Sequence, residues 1–229
     1  MNALTRSRTF LLGAYHDLPN VLFTGSLVLG AITGYLPLVW VSLGLILNGG
    51  IISVFQNLFA FLFRDGSGAI SSQVVAKANS MACSMFSRVN VPSKSDAAMI
   101  VAPSQWLGAT TFFAAFVIYN SLQVAIRPGV KGASQEKVDT RIAYSLSTLA
   151  IGILFFLLVL SRGFTQCETW LGSLSGVAIG IAVAMGFWHL LDACGAGTLP
   201  DILQVVRSLP PEGSGSVPVV CSPQEPASD

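Results

Sequence analysis

Long apolar runs separated by short polar breaks dominate this chain. A bilayer core of about 30 Å takes roughly 20 apolar residues in helix, and five stretches read as such spans: residues 21–36, 38–63, 107–126, 142–160 and 171–191. Their predicted ends carry residues that stop or anchor a helix. Pro37 closes the first, Arg64-Asp65-Gly66 the second, Arg127-Pro128-Gly129 the third, Ser161-Arg162 the fourth and Asp192 the fifth. The first two runs are nearly contiguous. Their combined length far exceeds one span, which favours a tight hairpin at Pro37 over one long bent helix. Gly25, Gly30 and Gly34 thin the first run, or allow close helix packing, as small residues do in membranes.

The expected fold is therefore all-α, a multi-pass transmembrane helical bundle of about five spans. Residues 1–19 form an N-terminal interfacial segment, 20–192 the bundle and 193–229 an extended C-terminal tail rich in Pro, Gly and Ser. His16, Asp17 and Pro19 separate Arg6 and Arg8 from the first run, and no small-residue cleavage site follows, so that run is expected to be retained. Residues 64–106 make a polar loop, too long for a simple turn; residues 127–141 read as a charged, exposed connection. Five spans put the N-terminus and the loops 64–106 and 161–170 on one face, with Arg6, Arg8, Arg64, Lys77, Arg88, Lys94 and Arg162. The other face holds Arg127, Lys131, Lys137, Arg141 and Arg207. The basic excess weakly favours the first face as cytoplasmic.

Composition agrees. Of the 229 residues, 52% are hydrophobic and only 10% charged, against about 25% charged in soluble domains. A net charge of +1 offers no footprint for nucleic acid. Cys83, Cys167, Cys194 and Cys221 show no C-x-x-C pair, which argues against zinc, and their pairing is left open. The two histidines, His16 and His189, do not have metal-ligand spacing, and no cofactor is expected. No chain of ionisable residues runs through the spans, which disfavours a transporter or channel.

The richest segment for chemistry runs from Ser161 to Gly180, SRGFTQCETWLGSLSGVAIG. It resembles the third signature of the type-2 phosphatidic acid phosphatase superfamily, S-R-x5-H-x3-D followed by small residues four apart. Ser161 and Arg162 match. Glu168 stands where the histidine belongs and Gly172 where the aspartate belongs, and Gly176 and Gly180 continue the small-residue series. For the second signature, P-S-G-H, two stretches compete: Pro92-Ser93-Lys94-Ser95, and Pro103-Ser104-Gln105-Trp106 directly before the third span. Neither has the histidine. The first signature, K-x6-R-P, is missing, since Lys77 and Arg88 do not have its spacing. Residues 78–86, ANSMACSMF, resemble the corresponding loop in versions carried by nucleocytoplasmic large DNA viruses.

That resemblance implies a phosphatase bundle without its chemistry. The family's nucleophile and leaving-group acid are both histidines. Glu168 would repel a phosphate ester, and Gln105 or Ser95 is no general acid near neutral pH. Ser161, Arg162, Lys94 and Lys77 would be left as a residual phosphate or headgroup contact. The implied role is a non-catalytic structural protein of the internal virion membrane of a large double-stranded DNA virus, with the lipid bilayer and capsid or other virion proteins as partners. A divergent lipid phosphate phosphatase and a lipid-binding scaffold of a cellular membrane are the alternatives. Plainer readings also stand. Arg162 could be an interfacial arginine snorkelling to headgroups, and Glu168 a residue favoured by a helix dipole. Trp40, Trp106, Trp170 and Trp188 read as an aromatic belt near span ends, with His189 an interfacial partner of Trp188.

Overall fold

The computed structural model describes residues 13–63, 75–76, 99–100, 102–127, 135–162, 168–195 and 200–202. Lys77, Lys94, residues 78–86, the Pro92-Ser93 stretch and the tail after Pro210 lie outside the described residues. Among the described residues, five helices make the fold: α1 (Leu18–Thr33), α2 (Leu36–Phe63), α3 (Gln105–Ile126), α4 (Gln135–Leu160) and α5 (Trp170–Gly195). Between α2 and α3, β1 (Val75–Ala76) and β2 (Met99–Ile100) pair antiparallel, Val75 opposite Ile100. The architecture is all-α. Four helices, α2 to α5, are long and apolar enough to cross a membrane, and α1 is a shorter apolar helix led in by helical residues 13–16. This is an integral, multi-pass membrane protein.

Among the described residues, charged side chains and their partners gather in two layers, one at each end of the bundle. The near layer contains His16, Gln56, Ser104, Arg162 and Glu168. At the far end Arg127 grips Asp192 with two bonds of 2.9 and 2.6 Å, Arg141 donates to the Arg127 carbonyl, and Tyr35 donates to that of Asp201. The 22 residues of α3 run from one layer to the other, about 33 Å at 1.5 Å per residue. That matches one hydrocarbon core. The helices alternate in direction, so the entrance to α1 and the α2–α3 and α4–α5 connections share the near end. The α1–α2 and α3–α4 turns and the end of α5 share the far end. A thiol placed at exposed Ser161 and the exposed native Cys194 are expected to react with an impermeant maleimide from opposite sides; labelling from one side would refute this arrangement.

Helix α5 packs directly on α3 because glycines line the contact. A Cβ added to Gly176 would lie 2.7 Å from the Ser104 carbonyl oxygen, and one on Gly180 would lie 2.7 Å from that of Gly108. Backbones approach this closely only where no side chain intervenes. The apolar core beside this seam joins Val41 and Leu45 of α2, Phe112 and Phe116 of α3, and Ala184, Phe187, Trp188 and Leu191 of α5. Ile151, Leu154, Leu157 and Leu158 of α4 point outward, as lipid-facing residues do.

Several expectations need correction. The first hairpin turns at Gly34-Tyr35, not at Pro37. Gly34 has φ 66°, and its N–H bonds the Gly30 carbonyl; only glycine takes that conformation cheaply. Pro37 instead lies in the first turn of α2, where its missing N–H costs nothing. Gly30 admits the close approach of Val39, whereas Gly25 faces open space. Across the hairpin the Ser26 and Ser42 hydroxyls meet at 2.7 Å. Helix α4 starts at Gln135 rather than residue 142, held by Gln135 bonding Asp139 at 3.0 Å and by Glu136 in its first turn. Arg141 is consequently helical and buried, not part of an exposed loop. Trp106 and Trp188 are buried inside the bundle, so they do not face a membrane interface as a belt would, whereas Trp170 is strongly exposed. The tail does not leave the bundle at once, because Asp201 is buried and Ile202 packs on the core.

Candidate functional site

The near polar layer is where the sequence placed its candidate chemistry, and Arg162 is at its centre. It sits on the single turn after α4 and is 1% exposed. A charge so buried needs partners, and Glu168, His16 and Trp106 are among them. Its Nε donates to Glu168 Oε1 at 3.2 Å, its terminal nitrogen meets His16 Nδ1 at 3.3 Å, and its guanidinium carbon lies 4.2 Å from the centroid of the Trp106 ring. The snorkelling reading of Arg162 is thus overturned. The side chain turns inward because a carboxylate, an imidazole and an aromatic face are offered there together.

Glu168 is held by the same logic. Thr169 caps α5, its hydroxyl accepting from the Gly172 N–H at 3.1 Å, so Glu168 stands one residue outside the helix. Its carboxylate is spent on Arg162 and on a hydrogen bond from Ser104, rather than chiefly on the helix dipole. Burial raises its pKa above the ordinary carboxylate value, opposed by Ser104 and Arg162. Ser104 in turn caps α3 by accepting from the Leu107 N–H at 3.2 Å, and its own N–H bonds the Gly172 carbonyl at 3.0 Å. The better placed of the two P-S candidates therefore meets the Ser161–Gly180 segment. Gly172 contributes only its backbone. Gln105 faces α2, bonding Gln56 at 3.1 Å, while Gln56 donates to the Pro103 carbonyl at 2.8 Å.

The other predicted contacts do not converge. Ser161 is exposed and donates to the Leu158 carbonyl at 2.6 Å, away from the Arg162 pocket. Lys77 and Lys94 lie outside the described residues. His16 and Trp106 complete the cluster, yet neither was singled out for it. No local pattern marks them, since His16 is 146 residues from Arg162 in sequence. At the far end, His189 bonds the Tyr119 hydroxyl at 2.8 Å and sits edge-on to Trp188.

The chemical content of the site follows from this inventory. Among the described residues, one guanidinium faces an internal carboxylate, a serine used as a cap, and an imidazole whose Nδ1 accepts from arginine. An incoming phosphate would have to displace Glu168 from Arg162 and desolvate beside it. No protein-family model matches this chain, and comparison with curated proteins and with solved structures returns no match.

Proposed function

We propose that this chain is a non-catalytic structural membrane protein, built on a phosphatase-like bundle whose phosphate-handling centre is closed from within. One observation carries the reading: Glu168, at the position where the resembled signature has its nucleophile, holds the Arg162 guanidinium in a buried ion pair. Engaged in that pair, Glu168 is a poorer nucleophile than a free carboxylate, and its negative charge opposes a phosphate ester. The meeting of Ser104 with Glu168 and Gly172 supports the resemblance, because the two segments quoted for it lie side by side.

The finer part of the proposal is a place in the internal membrane of a large double-stranded DNA virus, anchoring capsid proteins through loops or tail. Its support is the sequence of residues 78–86 and the Ser161–Gly180 register. Purified protein is expected to release no phosphate from phosphatidic acid; turnover abolished by Arg162→Ala would overturn the non-catalytic reading. Cross-linking mass spectrometry on purified particles is expected to join Lys77, Lys94 or the tail to capsid proteins. Absence of the protein from such particles would end the virion assignment.

A further inference from the structure

The entrance to α1 is fastened to the near layer by one short segment. The Tyr15 ring lies 5.0 Å from that of Trp106, and its hydroxyl reaches the Leu158 carbonyl at 3.5 Å. The His16 carbonyl accepts from the Trp106 indole N–H at 3.1 Å, and the His16 ring meets Arg162 at 3.3 Å. Two adjacent residues thus contact α3 and the end of α4 together, across the same indole that Arg162 covers. The ring contact has a definite proton requirement. Arg162 is only a donor, so Nδ1 must be a lone-pair acceptor and the imidazole neutral.

We propose that residues 15–16 form an acid-released clasp, in which protonation of His16 breaks its contact with Arg162 and frees the helical turn at 13–16 from the Trp106 face. An imidazolium would place an N–H against a guanidinium N–H and a second positive charge beside the first. Among the described residues, the charged groups facing this point are Arg162 from the end of α4, Glu168 from the entrance to α5 and Asp17 from the same turn; α3 presents the uncharged Trp106 and Ser104. Glu168 is already engaged by Arg162 and is itself easier to protonate than an ordinary carboxylate. As pH falls it loses the charge that would have balanced a second cation.

The sign of the effect follows from the direction of the shift. Burial lowers the His16 pKa below its ordinary 6.5, Arg162 lowers it further, and Asp17 opposes both. The clasped state binds the proton less readily than the released state. Clasping is therefore undiminished above about pH 6.5 and is lost as pH falls through the depressed clasped-state value.

The test uses a nitroxide on Gly13→Cys in the full chain in lipid nanodiscs, since a Cβ at Gly13 meets nothing within 4 Å. Between about pH 7.5 and about pH 5, the mobile fraction of its spectrum is expected to rise severalfold and reversibly. His16→Gln, which keeps an acceptor but cannot ionise, should stay immobile throughout. His16→Lys should be mobile throughout. A label on Gly186→Cys, also in open space on α5, should not change. No acid step in the parent, the same step in His16→Gln, or an equal response at Gly186 would each overturn the clasp; the last would signify general unfolding.

Discussion

Glu168→Ala is expected to cost about 3–5 kcal/mol of stability, the usual penalty for removing one partner of a buried ion pair. The pair's side chains are 2% and 9% exposed, so water cannot readily replace the carboxylate. Trp106 and the neutral His16 imidazole, which also touch the guanidinium, carry no compensating charge. Arg162→Ala should be less damaging, because the stranded carboxylate, whose pKa burial already raises, can take up a proton and keep its bond from Ser104. Replacing both by methionine should recover most of the loss, since a well-packed apolar pair often equals a buried ion pair. Denaturant titration of the purified protein in detergent measures all three. A Glu168→Ala protein within about 0.5 kcal/mol of the parent, the range of ordinary surface changes, would mean that the pair does not hold this end of the bundle together.

The second large effect is expected at the α3–α5 seam. Gly176→Leu should separate the two helices or prevent their assembly, and Gly176→Ala should already cost about 1–3 kcal/mol. The added Cβ would meet the Ser104 oxygen at 2.7 Å and nitrogen at 3.3 Å, and the Gly108 nitrogen at 3.4 Å. All three are backbone atoms and cannot swing aside as a flexible side chain would. The damage should propagate, because the Ser104 N–H bonds the Gly172 carbonyl one turn away. Gly180→Ala should behave alike, with the Gly108 oxygen at 2.7 Å and the Phe112 nitrogen at 3.1 Å. Gly186→Ala provides the contrast on the same helix. Its Cβ meets nothing within 4 Å, so the change should be neutral or stabilising by up to about 1 kcal/mol. Thermal unfolding of the three alanine variants side by side checks the ranking. Equal midpoints for Gly176→Ala and Gly186→Ala would refute direct backbone packing at the seam.

Much of the architecture was legible in the order of residues alone. Four apolar runs of spanning length sit on α2 to α5, because sustained apolar sequence is favourable only where lipid surrounds it, and length then sets the span. The small-residue series Gly172, Gly176 and Gly180 was legible as a helical spacing, but only the packed bundle showed that all three face α3 through backbone or would-be Cβ contacts.

Other features depended on tertiary contacts. A helix apolar all round gives no periodic signal of which face packs, so nothing local distinguished buried Trp106 and Trp188 from exposed Trp170. Pro37 suggested a break, but proline is equally at home in a helix's first turn, and the choice fell to the backbone conformation of Gly34. An arginine at a span end is satisfied equally by water, headgroups or a buried partner. Arg162 turned inward because folding brought Glu168, Trp106 and a histidine 146 residues away to one point. Charge and hydropathy along the chain determined that this protein crosses a membrane and where. Only the packed bundle decided which polar groups neutralise one another inside it, because that depends on distances between residues the sequence keeps far apart.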